Sequence, residues 1–169
     1  WEHAMYKYGS SERPDLTLAV VVGAGAMGMA VAHRLAQRHR ILLADIDGAR
    51  AETQAAAMRD SGCDASAVAC DVTSPDAVAA LADAVNERGG LGVLAHVAGL
   101  SPSGSEFGTI LRVNLMGAAL VADALLPLAG QGSAAILIAS MAAYGIQPSE
   151  AALELLREPA APELAERLA

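Results

Sequence analysis

Leu18-Ala-Val-Val-Val-Gly23-Ala-Gly25-Ala-Met-Gly28-Met-Ala-Val-Ala32 is the stretch on which the reading of this chain turns. An apolar run, Leu18 to Val22, leads into three glycines spaced G-x-G-x-x-G, and a helical pattern opens at once through Val31, Leu35 and Ala36. Strand, glycine turn and helix in that order form the context in which this spacing holds a dinucleotide. The first glycine makes the tight turn, the second lets backbone approach a pyrophosphate, and the third lets helix and strand pack closely. The helix then aims unpaired N–H groups and a partial positive charge at the phosphates. Gly23, Gly25, Ala26, Met27 and Gly28 are therefore the expected cradle of a cofactor. Glycines also gather in ordinary turns, so the remainder of the chain has to agree.

Composition narrows the field. At 169 residues the chain is long enough for one domain with a core. Hydrophobic residues make up 54% and aromatics only 3%, so that core is built from Ala, Val, Leu and Ile. Such a core suits a parallel sheet under closely packed helices. A net charge of −8 argues against nucleic acid as a partner. No uninterrupted apolar run has the length of a membrane span, and no secretory leader pattern is visible, so no membrane partner is expected. Cys63 and Cys70 lack metal-type spacing and read as free thiols of a cytoplasmic protein.

Residues 1–15 are polar and irregular and read as an arm or leader; 16–145 read as a dinucleotide-binding domain; 146–169 read as an acidic helical tail or insertion. Within the domain the expected order is strand Leu16–Val22, helix 26–38, strand 41–45, helix 49–61, strand 65–70, helix 75–88, strand 91–97, a long helix 106–128, a turn at Gly130 to Gly132 and strand 134–139. Ser74, Pro75 and Asp76 make a strong helix start. Asn114 is a mediocre helix former inside the long helix, so it is expected to bond to something specific. In the tail, Ala152, Leu155 and Leu156 share one side, and Pro159 and Pro162 divide it into two short helical pieces. Five strand–helix alternations predict an α/β, Rossmann-like doubly wound parallel sheet, whose ligands sit at the strand C-termini.

Asp45 ends the second strand 20 residues after Gly25, near the distance at which an acid meets the adenosine ribose. A carboxylate there accepts the ribose hydroxyls and repels a 2′-phosphate, so NAD is expected over NADP, with Ile46 beside it. Asp45 could instead simply end the strand, and Arg50 keeps NADP open. Asp71, Ala98–Gly99 and Ser140 fall at the ends of three further strands.

With these residues in place the chain resembles the short-chain dehydrogenase/reductase family, over about Leu16 to Tyr144. Asp71-Val72 resembles the family's Asp-Val pair that holds the adenine. His96-Val97-Ala98-Gly99 resembles its Asn-Asn-Ala-Gly element, with His96 and Val97 replacing the asparagines. Asn114, in Arg-Val-Asn-Leu-Met-Gly, matches the helix asparagine of the family's Asn-Ser-Tyr-Lys tetrad. Ile-Leu-Ile-Ala-Ser140 matches the strand that delivers its serine. The resemblance implies hydride transfer between a nicotinamide and a small-molecule secondary alcohol or ketone. It also implies that Ser140 orients the substrate oxygen, that Asn114 supports a water relay, and that the protein is a homo-oligomer.

Two departures stand out. The glycine loop is one residue shorter than the family's usual G-x-x-x-G-x-G, which leaves a hydroxyacid-type dehydrogenase as a weaker alternative. The family's Tyr-x-x-x-Lys, its acid–base pair, does not occur in these 169 residues: Tyr144 has Pro148 four positions on, and Lys7 is the sole lysine. General acid–base catalysis contributes about 10²–10⁴-fold. The expectation is thus an NAD-dependent oxidoreductase represented by its cofactor-binding portion, cut before the Tyr and Lys. The alternative is a non-catalytic dinucleotide-binding or sensing module.

Overall fold

The computed structural model describes residues 16–145, 147–161 and 164–167. The proposed arm 1–15 lies outside the described residues, as do five positions of the tail, among them Pro162, the second of the two prolines expected to divide it. Five strands, β1 (Leu18–Val22), β2 (Arg40–Asp45), β3 (Ala65–Ala69), β4 (Leu91–His96) and β5 (Ala129–Leu137), form one sheet in the order β3-β2-β1-β4-β5. Every pairing is parallel. Parallel strands covered on both faces read as continuous apolar runs rather than alternating ones. β1 shows this, since all five of its residues are buried.

The period of two along each strand sorts the core into two layers. On one face Val20, Val22, Leu42 and Leu94 meet Leu81 and Val85 of α3 (Pro75–Glu87) and Val121 and Leu125 of α5 (Ala118–Leu125). On the other, Ala19, Val21, Ile41 and Leu43 meet Met29 and Ala32 of α1 (Ala26–Leu35) and Ala55 and Met58 of α2 (Gly48–Asp60). The helices start where their sequence says they should. Ser74 Oγ accepts the Ala77 N–H at 3.3 Å to cap α3, with Pro75 in its first turn, and Asp47 Oδ1 accepts the Arg50 N–H at 2.9 Å to cap α2.

The long helix departs from expectation in its middle. It opens as α4 (Phe107–Leu111), widens into a π-helical stretch (Arg112–Gly117), resumes as α5 and tightens into a 3-10 turn (Leu126–Leu128). By length and composition alone the span Phe107–Leu128 is apolar enough to cross a membrane, although no unbroken apolar run is that long; Val121 and Leu125 on it are buried in the domain core.

β5 also differs, beginning at Ala129 rather than 134. Gly130 to Gly132, expected as a turn, belong to the strand, because Ser133 Oγ donates to the Leu91 carbonyl at 2.6 Å and accepts the Gly130 N–H at 3.1 Å. The register between β4 and β5 slips there, with Gly132 at φ +87°, which marks a bulge. The tail forms α6 (Glu150–Leu155) and α7 (Leu164–Arg167), and Leu164 packs on Met116 of the π-helical stretch with Leu111, Leu115 and Leu155 around them.

Candidate functional site

The strand order reverses between β1 and β4, the point where open α/β sheets take ligands. A cleft of about 580 Å³ opens there, within the range of small-molecule sites. Gly23, Gly25, Ala26, Met27, Gly28, Asp45, Ile46, Asp71, Val72, Ala98 and Gly99, each assigned to a cofactor from the sequence, all line it. The fold therefore brings residues that follow four separate strands to one surface.

Each glycine has its own geometry. Gly23 sits at φ +102°, and a Cβ on it would come within 2.8 Å of the Ala98 nitrogen, so this glycine permits both the turn and the contact between the β1 and β4 loops. A Cβ on Gly28 would lie 1.8 Å from the Gly23 carbonyl oxygen, so the third glycine is what lets α1 close on the loop. A Cβ on Gly25 would meet nothing within 4 Å, because that position faces the open cleft. Gly25 is also the N-cap of α1 and supplies no side-chain acceptor, so the helix's first N–H groups point into the cleft without a side-chain cap. A backbone cradle open on the ligand side fits a pyrophosphate.

Asp45 is only 6% exposed, yet it stays charged. Burial alone would push its carboxyl up. The Asp47 and Ala24 N–H groups and Arg50 together outweigh that and hold it below the ordinary carboxylate range. Oδ2 accepts the Ala24 N–H at 2.7 Å; Oδ1 accepts the Asp47 N–H at 2.9 Å and Nη2 of Arg50 at 2.6 Å. Asp71 Oδ1 accepts both the N–H and the hydroxyl of Thr73, at 2.9 and 2.8 Å, which fixes that carboxylate beside the cleft.

Asn114 lies within the π-helical stretch, and its amide holds both the N–H and the C=O of a single residue, Leu100. Oδ1 accepts the Leu100 N–H at 2.7 Å, and Nδ2 donates to the Leu100 carbonyl at 3.0 Å. The bond expected of a mid-helix asparagine is thus made to the loop that follows β4. Single π turns inside α-helices are frequent at functional sites. Ser140 is exposed just past β5, outside the residues that line the cleft, and Tyr144 is 94% exposed in the 3-10 turn Met141–Gly145.

The sequence did not point to Thr73, Leu100, Thr109 or Arg112, which also line the cleft, and it offered Val113 only as part of the long helix's apolar stripe. Thr109, Arg112 and Val113 recur at helical spacing on one side of the long helix, and that spacing was the available signal.

His96 is 2% exposed at the end of β4, and its Nε2 has no hydrogen-bond partner among the described residues. Burial disfavours the imidazolium and lowers its pKa. The sign follows: stability gained from burying the neutral ring is complete above the ordinary histidine value and is lost as pH falls from there through the lowered value of the folded state. Stability is accordingly expected to fall between neutral pH and about pH 5, the window in which histidines titrate, and His96→Asn is expected to flatten that fall. Urea midpoints of both proteins across the window check it; parallel curves would refute it.

A family model described as enoyl-(acyl carrier protein) reductase matches residues 23–158. The chain belongs to the short-chain dehydrogenase/reductase family. A short-chain dehydrogenase/reductase of Alternaria brassicicola is 33% identical over 128 residues, 74% of this chain and 46% of that protein. Among solved structures, an actinorhodin polyketide ketoreductase variant with NADPH matches at a TM-score of 0.62 and 26% identity, covering 68% of this chain and 48% of its own. A short chain dehydrogenase/reductase from Burkholderia phymatum with NAD matches at 0.58 and 30% identity, covering 67% and 44%. The chain spans about half the length of these relatives. What the chain shares with this family is the five-stranded parallel sheet and its flanking helices.

Proposed function

We propose that this chain is the coenzyme-binding part of an NAD-dependent short-chain dehydrogenase that interconverts a secondary alcohol and a ketone on a small molecule. The observation that carries the reading is the cleft itself, where the open cradle at Gly25 and the carboxylates of Asp45 and Asp71 line one surface. The coenzyme, when bound, supplies or accepts the hydride. The chain's own residues do the rest. The α1 N–H groups hold the phosphates, Asp45 takes a ribose hydroxyl, and Asp71 with Val72 faces the adenine. Asn114 keeps the Leu100 loop in place beside the nicotinamide half and supports a water relay, while Ser140 orients the substrate oxygen.

On this reading the Tyr and Lys that exchange and tune the proton come from a part of the protein beyond these residues, one that also completes the substrate pocket and brings Ser140 into it. We place the protein in the cytoplasm, where its two free thiols stay reduced. It assembles as a homo-oligomer through the apolar helix Phe107–Leu128, of which 17% of the most apolar window is buried within the chain. A second reading, a non-catalytic dinucleotide-binding module, draws on the absence of Tyr-x-x-x-Lys from the 169 residues.

The test is oxidation of a panel of secondary alcohols by the full-length protein with NAD or NADP. Turnover that is faster with NAD and reduced about 10²-fold or more by Ser140→Ala supports the enzyme. Coenzyme binding without turnover on any substrate by a protein lacking Tyr-x-x-x-Lys throughout would favour the module.

A further inference from the structure

The tail makes a small core of its own against the part of the long helix that borders the cleft. Leu164 is only 2% exposed, and it covers Met116 of the π-helical stretch, with Leu111, Leu115, Leu155 and Ala161 around the pair. This core is separate from both layers of the sheet.

Its membership follows from the widening of the helix. In an α-helix, residues three and four apart share a face. Met116 would then follow Val113, which packs against the layer containing Val72 and Val121. A π turn bonds i to i+5 and so aligns residues five apart. That sets Met116 over Leu111, on the side where Leu164 covers it. The tail therefore fits the widened helix and not a regular one.

The same stretch is held on two further sides. Asn114 bonds both polar groups of Leu100, at 2.7 and 3.0 Å, and Leu100 lines the cleft together with Arg112 and Val113. Gly117 closes on the connection after β3, since a Cβ there would lie 2.7 Å from Val72 Cγ2. π turns are rare, so this one needs partners that favour it over the α-helical alternative. Leu164 is a partner that a regular helix would lose.

On the reading of the cleft as a coenzyme site, we propose that the tail braces the long helix in its widened form, and that Leu164 is a positioning residue for the cleft. With Leu164 seated on Met116, Asn114 keeps its hold on Leu100, and Arg112 and Val113 keep their places along the cleft. With that side chain cut back, the turn relaxes toward a regular helix, the Leu100 loop loosens and the coenzyme binds less tightly.

The experiment is hydrogen exchange at the Leu100 amide, which donates to Asn114 and so reports the hold directly, beside equilibrium titration with NAD. Both are made on the full-length protein as wild type, Leu164→Ala, Leu164→Met, Leu153→Ala, Asn114→Ala and the double variant of Leu164→Ala with Asn114→Ala. Leu164→Ala is expected to speed exchange at Leu100 by about tenfold and to weaken NAD by roughly three- to tenfold, the scale on which residues without ligand contact shift a distant site. Leu164→Met, close in volume, is expected to recover most of both. Leu153, 49% exposed on α6 and outside the small core, is expected to tolerate alanine with no change in either. The double variant is expected to bind NAD about as weakly as Asn114→Ala alone, because both changes release the same loop. Where Leu164→Ala does not fold, Leu155→Ala, at the edge of the same core, takes its place.

Leu164→Ala with unchanged exchange at Leu100, or with the NAD affinity of the wild type, overturns the proposal. So does a double variant whose losses simply multiply. A wild type that binds no NAD overturns the coenzyme reading instead, and exchange at Leu100 then decides the brace alone.

Discussion

Gly28→Ala is expected to weaken coenzyme binding by roughly two orders of magnitude and to lower the melting temperature as well. A Cβ at this position would lie 1.8 Å from the Gly23 carbonyl oxygen and 3.0 Å from its carbon, both backbone atoms that no rotamer change can move. Relief requires α1 to slide away from the loop, and overpacking of this kind costs about 1–3 kcal/mol or more, a factor of roughly 10 to 100 when the binding geometry bears it. Gly25→Ala separates the two effects. Its Cβ meets nothing within 4 Å of protein but points into the cleft, so it is expected to leave the melting temperature unchanged and still weaken NAD. Calorimetric titration beside thermal melts of the two variants makes the comparison. Equal behaviour of Gly25→Ala and Gly28→Ala would refute the separate duties assigned to these glycines.

The second large effect lies in the core. Leu81 of α3 is fully buried, in the layer that joins this helix to Val20, Leu42 and Leu94. Leu81→Ala removes that contact and leaves a cavity, at a cost of about 2–5 kcal/mol. For a domain of this size roughly 2–4 °C of melting temperature follow each kcal/mol, so a drop of about 5–15 °C is expected. The loss should be thermodynamic rather than local, because α3 lies behind the sheet and contributes no residue to the cleft lining. Coenzyme affinity measured well below the transition should therefore stay near the wild-type value. A selective loss of binding with unchanged stability would contradict this assignment.

The sequence made the sheet and the glycine loop legible because both depend on local signals. Apolar runs such as Ile41–Ala44 can only be buried strands here, and Ser74-Pro75-Asp76 states where α3 begins. The eleven cofactor-side residues fall on one cleft because the parallel order of strands places all their C-terminal ends together. Features set by distant partners were not legible. Asn114 finds its partner in Leu100, fourteen residues upstream, and no helical periodicity announces either that bond or the widening of the helix there. The Gly130–Gly132 segment reads as a turn until Ser133 is seen bonded to Leu91 across the sheet. Arg50 was noticed only as a reason to keep NADP open, since the sequence does not show that its guanidinium reaches back to Asp45. The packing of Leu164 on Met116 joins segments whose order along the chain says nothing about their contact.

The seam between β1 and β4 has a consequence for how the molecule is assembled. Ala19 pairs with Val93, so the centre of the sheet joins segments separated by most of the domain, whereas β1–β2 and β2–β3 pair near neighbours in the chain. Distant pairings form late, because loop closure has to be met before the contact contributes. The Gly23 turn and Ala98 come together at that seam, so the cleft exists only once the two halves have docked. A nucleotide that touches both loops therefore binds the finished sheet and not its half-built precursor. Such a ligand would clasp the two docked halves, stabilising the product by an amount that grows with the logarithm of its concentration.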